Sequence, residues 1–356
     1  MGDRKYNPQQ RTHMLKVDRA ILHVFDFDSG STYFSERPLD LDVRSTKSFV
    51  QRHLRKISSN AESRHGSFAP DSGFAVELQR YLAGEREFVE FSVEIAQWFW
   101  EELRRAEDLE QCDLLVADFT DTDAASGEDV EFEGDAGKRF FAIELLPRRQ
   151  AFVHEVEGDA NGISRVDATL PNPSQKVASY VLVDAATGAI DFHDKERSVG
   201  GTSVMVIPER FLQCSSEASS HEVIDEVSVI VRDVAEEFGL EPAVEVGRAK
   251  ACVARAADVE ESFSPAEVGR TVFAERPDVA ERFEERVHEA RLPEEAPVRR
   301  GVANRLTKSH KIRTDTGVEI TFPSELAERP GYLDFSTDAE GRITITVGNV
   351  ARIENR

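Results

Sequence analysis

From residue 112 onward the hydrophobic pattern of this chain changes from helical to strand-like, and that change constrains the fold more than any other feature. CDLLVADFT (112–120), KRFFAIELL (138–146), AFVHEVE (151–157) and ISRVDATL (163–170) read as strands of an antiparallel sheet. ASYVLVD (178–184), GAIDFH (188–193) and TSVMVIPERFL (202–212) continue the β region. The helices come earlier. DVRSTKSFVQRHLRKI (42–57) places Val50, Leu54 and Ile57 on one helical face, and two more helices span about 73–83 and 86–106, with Gly84 between them. The last carries Phe88, Phe91, Ile95, Trp98, Phe99 and Leu103 at helical spacing, which is a core stripe rather than a cofactor box. RAILHVFDF (19–27) is a strand ended by Asp28, Ser29 and Gly30. Helices grouped before strands favour an α+β fold of mixed helix and antiparallel sheet over a doubly wound one.

The texture shifts again at SSEASS, from Ser215. Three parts are expected: an α+β N-terminal domain at 1–215, a helical segment at 216–297, and a small β-rich C-terminal module with a basic segment at 298–356. In the helical part, Val223, Val227, Ile230, Val234 and Phe238 recur at near-heptad spacing, and further helices are predicted at 243–258, 265–275 and 278–290. Ser264-Pro265-Ala266-Glu267 has the pattern of a capping box with proline at the first helical position. VEITF and RITITV alternate as strands, with TDTG (314–317) and DAEG (338–341) as hairpin turns. The stretch DTDAASGEDVEFEGDAG reads as an acidic surface loop.

Charge narrows the function. The formal net charge is -23, from 67 acids against 44 bases, of which 10 are Lys and 34 Arg. The acid excess argues mildly against nucleic acid as a partner, and the Lys-poor pattern fits a salt-adapted host or a GC-rich genome equally well. No apolar run is long enough to span a bilayer, and the polar N-terminus is no signal peptide, so a soluble intracellular protein is expected. Cys112, Cys214 and Cys252 lie far apart, without a disulfide framework or a zinc spacing.

Catalytic patterns fare poorly. ILHVFDFDSGST ends a strand in Asp-x-Asp, like the nucleophile loop of haloacid-dehalogenase-type phosphotransferases, but Gly30 stands where that loop has Thr or Val. Asp26 and Asp28 are better read as turn residues. GDANG (158–162) lacks the alternating acids of a calcium loop. Glu144 in FAIELLPRR could join a nuclease carboxylate cluster, yet Leu146 occupies the place of the expected Lys. Cys214 and His221 lack a third group to position them as nucleophile and base. The chain contains no G-x-S-x-G, Walker loop, H-E-x-x-H or G-x-G-x-x-G, and nothing in it calls for a cofactor. A helix-turn-helix at 265–290 would present Asp278, Glu281, Glu284, Glu285 and Glu289 to phosphate, which repels them.

Two basic elements remain. RRGVANRLTKSHKIR (299–313) holds Arg299, Arg300, Arg305, Lys308, Lys311 and Arg313 without an acid. The 42–57 helix holds Arg44, Lys47, Arg52, Arg55 and Lys56 against Asp42 alone. The plain alternative is a solvated face for the helix and a cross-strand pair of Lys311 or Arg313 with Glu319 for the segment. Six neutralised phosphates predict a log–log salt slope of about -5, with position held but no sequence read.

Several stretches together resemble a known family. AILHVFDFDSG with PLDLD, FAVELQRYLAGEREFVEFS, CDLLVADF followed by RFFAIELL, TLPNPSQKVASYVLVD, and LTKSHKIRTDTGVEITFPSEL with GRITITV are similar to the bacterial nucleoid-associated proteins of about 37 kDa. The resemblance runs from Ala20 to Val350, carried by the order of the pieces rather than by one motif. It implies a cytoplasmic, nucleoid-located DNA-binding protein without catalytic activity, and, more weakly, association with a type II topoisomerase. Self-association into a homodimer is compatible with the sequence. The alternatives are a protein-interaction adaptor in DNA maintenance or antiphage defence, and a divalent-metal nuclease or phosphotransferase using Asp26, Asp28 or Glu144.

Overall fold

A computed structural model describes residues 15–122, 137–157, 160–338, 340 and 342–353. Most of the acidic stretch 121–137, Gly158 and Asp159 of GDANG, and Ala339 and Gly341 of the last turn lie outside the described residues. The chain divides into two compact units, one up to Glu217 and one from Ala218 on.

The first unit is built on β1 (Leu15–Asp26), β2 (Ser31–Tyr33), α1 (Arg44–Ser58), β3 (Arg64–Gly66), α2 (Gly73–Leu82), α3 (Phe88–Leu103), β4 (Cys112–Asp121) and β5 (Lys138–Pro147). A hairpin of β6 (Arg149–Glu157) and β7 (Ala160–Thr169) follows, then β8 (Tyr180–Asp184) and β9 (Ile190–His193). Seven strands form one antiparallel sheet in the order β2-β1-β4-β5-β8-β9-β3, so the α+β reading holds. Helices cover both faces of its middle, which explains why β4 and β5 are apolar runs rather than alternating ones. Leu114, Val116, Phe141, Ile143 and Leu145 join the core beneath α2 and α3. Leu115, Ala117, Phe119, Phe140, Ala142 and Leu146 join the core beneath α1, with Val50, Leu54 and Ile57.

The strand predicted over 202–212 is shorter. β10 (Glu196–Val199) and β11 (Thr202–Met205) form a hairpin, and Val206–Leu212 winds into a π-helical segment. Gly200 and Gly201 both have positive φ (63° and 77°), as a two-residue primed turn requires. Phe211 of the π segment packs on Phe74 and Phe99, and Ser72 ties the segment to α2 by donating to the Leu212 carbonyl at 2.7 Å while accepting from Ala75 N–H.

The second unit contains α4 (Ser220–Glu237), α5 (Pro242–Glu260), β12 (Ser262–Phe263), α6 (Pro265–Val272), α7 (Pro277–Glu289), β13 (Ala296–Pro297) and α8 (Arg300–Thr307). β14 (Ser309–Arg313) pairs with β15 (Glu319–Pro323), a 3-10 turn spans Ser324–Glu328, and β16 (Leu333–Thr337) pairs with β17 (Ile343–Val347). Ser264 caps α6 through Glu267 N–H at 3.5 Å, with Pro265 at the helix start. The complete reciprocal capping box belongs to α4, between Ser219 and Glu222. Gly269 of α6 lies against the buried ring of Phe283 on α7, where even a methyl group would be within 2.0 Å of a ring carbon.

Candidate nucleic-acid interface

No acid and no helix breaker interrupts Arg44–Ser58, so the stretch forms a helix whose buried side is Val50, His53, Leu54 and Ile57. At 100° per residue, Arg44, Arg52, Arg55 and Lys56 fall on the opposite half of its circumference, and Lys47 lies on the flank of the buried side. All five are exposed. Arg55 has interactions within the chain, whereas Arg44, Lys47, Arg52 and Lys56 make no side-chain ion pair or hydrogen bond among the described residues. Arg55 and Lys56 suit the negative end of the helix; Arg44 stands at its first residue and Lys47 one turn on, where cations oppose the dipole. Two cations beside free helix N–H groups make that end attractive to an anion.

The 299–313 segment is a short helix, α8, followed by β14. Strand alternation puts His310 in the core and leaves Ile312 half-buried, while Lys311 and Arg313 are exposed. Much of the segment's charge is already answered. Arg300 pairs with Asp258 at 2.7 Å, and Lys311 reaches diagonally across the hairpin to Glu319 at 2.7 Å. Arg299 and Arg305 also have interactions within the chain. Lys308 and Arg313 are the two cations of this segment whose side chains lack a partner among the described residues. The weight of the basic surface therefore moves from the C-terminal segment to α1.

The carboxylates considered for catalysis do not converge. Asp26 accepts from the Ser29 hydroxyl at 2.7 Å within the turn that closes β1, which holds its carboxyl below the usual range. Glu144 is level with Leu22, through Leu115, four residues up β1 from Asp26. That offset is about 13 Å along the strand and about 10 Å across two strand spacings. Glu144 is instead buried under α1 and holds His53 Nδ1 at 2.6 Å, both side chains 1% exposed. Burial pushes its carboxyl up, with His53 opposing. Its Oε2 and the His53 Nε2 have no hydrogen-bond partner among the described residues. Among the described residues, no group of three or more His, Cys, Asp or Glu could hold a metal ion.

The thiols are equally quiet. Burial pushes Cys112 up to about 12 and Cys214 up to about 11. His221 pairs with Asp225 one turn on, within α4. On α7, Arg282 is held by Glu237 and Glu285, Arg286 by Asp233 and Glu289, and Asp278 by Arg276, so both arginines of the helix are spent inside the unit. The polar groups that sequence reading passed over are structural. His23 accepts from Ser35 N–H through Nδ1 at 3.1 Å and so donates Nε2–H to Ser92 Oγ, also at 3.1 Å. Asp118 on β4 receives Arg139 and the Tyr81 hydroxyl, and buried Asp194 receives Arg197, Ser179 and Ile207 N–H. The strand alternation of CDLLVADF placed Asp118 facing the α2–α3 core, but its partners come from distant elements.

A comparison with known protein families matches residues 21–353 to the family model described as nucleoid-associated protein YejK. The match spans nearly all of the chain, and the protein belongs to that nucleoid-associated family. No curated protein matches the chain. No helix among the described residues is long and apolar enough to cross a membrane.

Proposed function

We propose that the protein binds the DNA backbone in the nucleoid through the outer face of α1, with Lys308 and Arg313 as further contacts, and that it performs no chemistry on the DNA. The observation that carries this reading is α1 itself. In a chain of net charge -23, one helix gathers five exposed bases and no acid, and four of them have no partner among the described residues. Membership of a nucleoid-associated family supports the same reading. Contacts of this kind grip phosphate without reading bases, so binding is weakly sequence-specific and steep in salt. The acidic remainder turns duplex DNA away from other faces and offers a surface to basic partners; a type II topoisomerase is a candidate of that sort.

The test is fluorescence anisotropy of a labelled random duplex across a salt series. Four α1 phosphate contacts contribute about -3.6 to the log–log slope. Changing Arg44, Lys47, Arg52 and Lys56 to Ser should remove that amount, while Lys308→Ser with Arg313→Ser should remove about 2. Failure of the native chain to bind at low salt, or a slope unmoved by the α1 changes, defeats the proposal. The first outcome would leave the adaptor reading, in which the basic faces meet an acidic protein. Incubation with plasmid and Mg²⁺ should leave the DNA uncut.

A further inference from the structure

Residues 123–136 lie outside the described residues, but the point where the chain leaves and rejoins the fold is described. They join the end of β4 to the start of β5, where Asp121 pairs with Lys138. Gly137 is pressed on the same point: a Cβ there would stand 2.4 Å from Thr120 Cγ2 and 2.9 Å from the Asp121 carbonyl oxygen. Both ends are thus pinned to one spot. On its other side Asp121 pairs with Leu15, whose carbonyl accepts from the Gln51 side chain of α1 at 2.7 Å. Gln51 stands one turn from Lys47 and one turn from Arg55. The segment therefore starts beside the basic side of α1.

We infer that the acidic segment 123–136 docks on α1 of its own chain and shields the basic helix until duplex DNA displaces it. Charge matches. The segment carries Asp123, Glu128, Asp129, Glu131, Glu133 and Asp135 and no base. α1 presents Arg44, Lys47, Arg52 and Lys56 without a partner among the described residues. Cations nearer the root are engaged, Lys16 by Asp18 at 3.3 Å and Arg139 by Asp118 at 2.6 Å. Length matches too. A segment of this length pinned at both ends reaches about 23 Å from its root, and Arg44 to Lys56 spans about 18 Å. Tethering gives the acids an effective concentration on the order of millimolar, so weak ion pairs suffice. Duplex DNA, with one charge per about 1.7 Å, is a denser anion than the segment and takes the helix from it, whereas an acidic peptide does not. As a control on DNA binding the inference rests on the reading of α1 given above; the docking itself does not.

Carbodiimide joins an amine to a carboxylate where the two touch, so it reads the docking on the full native chain. Peptide mass spectrometry should find Lys47 or Lys56 linked to a carboxylate of 123–136. The link should fade in about 1 M salt, where charges are screened beyond about 3 Å, and on addition of a random duplex. Replacing the six acids by Asn and Gln should raise duplex affinity about 10-fold or more at low salt, and the gain should vanish as salt rises. The same exchange at six exposed acids of the second unit, Glu226, Glu236, Glu281, Glu294, Asp334 and Glu340, removes equal charge and should leave affinity nearly unmoved. Absence of the link to Lys47 and Lys56, or links from the segment to other lysines alone, overturns the inference. So does an equal gain from the second-unit changes, or no gain from the neutralised segment in a chain that binds duplex. A chain that forms the link but binds no duplex keeps the docking and removes the DNA reading; one that binds duplex without the link does the reverse.

Discussion

Replacing Gly269 by alanine is a sharp test of whether space or helix propensity decides stability in the second unit. Propensity favours the change, because alanine is about 1 kcal/mol better than glycine inside a helix. Packing opposes it. A Cβ at 269 would lie 2.0, 2.5 and 2.7 Å from three ring carbons of Phe283, which is fully buried and fixed beside Phe273. Carbon atoms prefer about 3.5–4.0 Å, so the ring or helix α6 must shift by about 1.5 Å. Overpacking of this kind costs about 1–3 kcal/mol, and a displacement this large belongs at the upper end. The net expectation is a loss of about 1–2 kcal/mol. Gly301 in α8 is the matched control, since a Cβ there meets nothing within 4 Å. Gly301→Ala should stabilise by about 0.5–1 kcal/mol. The assay is urea unfolding followed by far-UV circular dichroism, because Trp98 and Trp100 both lie in the first unit. The two variants should move the midpoint in opposite directions at constant slope. If Gly269→Ala stabilises as much as Gly301→Ala, the packing argument is wrong. Adding Phe283→Leu to Gly269→Ala should relieve part of the loss.

Two buried histidines set the acid limb of stability. Burial lowers His23 to about 4, and burial with the Lys250 charge lowers His310 to about 4. Each folded-state value lies below the ordinary one near 6.5, so the unfolded chain takes up the proton first. Stability is full above pH 6.5 and falls as pH drops toward 4, by up to about 3 kcal/mol per histidine. Urea midpoints against pH should show this, and His23→Gln should flatten the slope; an unchanged profile would refute it. For the His53–Glu144 pair, Glu144→Leu or His53→Leu alone should cost about 3–5 kcal/mol, and the double variant less than the sum. Strict additivity in thermal unfolding would show that the 2.6 Å contact contributes nothing.

Much of this architecture was legible because it rests on local periodicity. Val50, Leu54 and Ile57 define α1, and the apolar runs of β4 and β5 define the middle of the sheet. Elements set by partners were not legible. β3 is three residues held by β9, more than 120 positions away. The π-helical turn at 206–212 continues a β-branched run and looks like a strand until Phe211 finds Phe74. Two signals were present and unread: Gly200-Gly201 as a primed turn, and Ser219 with Glu222 as a capping box. In the basic surface, residue type was visible and neutralisation was not. Asp258 on α5, which occupies Arg300, lies 42 residues away in sequence. Helix α8 was hidden because its density of charge drew the eye from Val302, Ala303 and Thr307 on its buried side.

The sandwiching of β4 between two helical layers has a consequence for synthesis. β4 needs β1, almost a hundred residues behind it, and β5 ahead, and the sheet closes only when β9 reaches β3. Such pairing is slow, and until it completes CDLLVADF is an open, strand-forming stretch that could stack on copies of itself. Asp113 and Asp118 interrupt it. In the finished sheet each carboxylate is buried and answered, by Arg148 and by Arg139. On the ribosome those arginines have not yet emerged, and the two bare charges hold nascent chains apart.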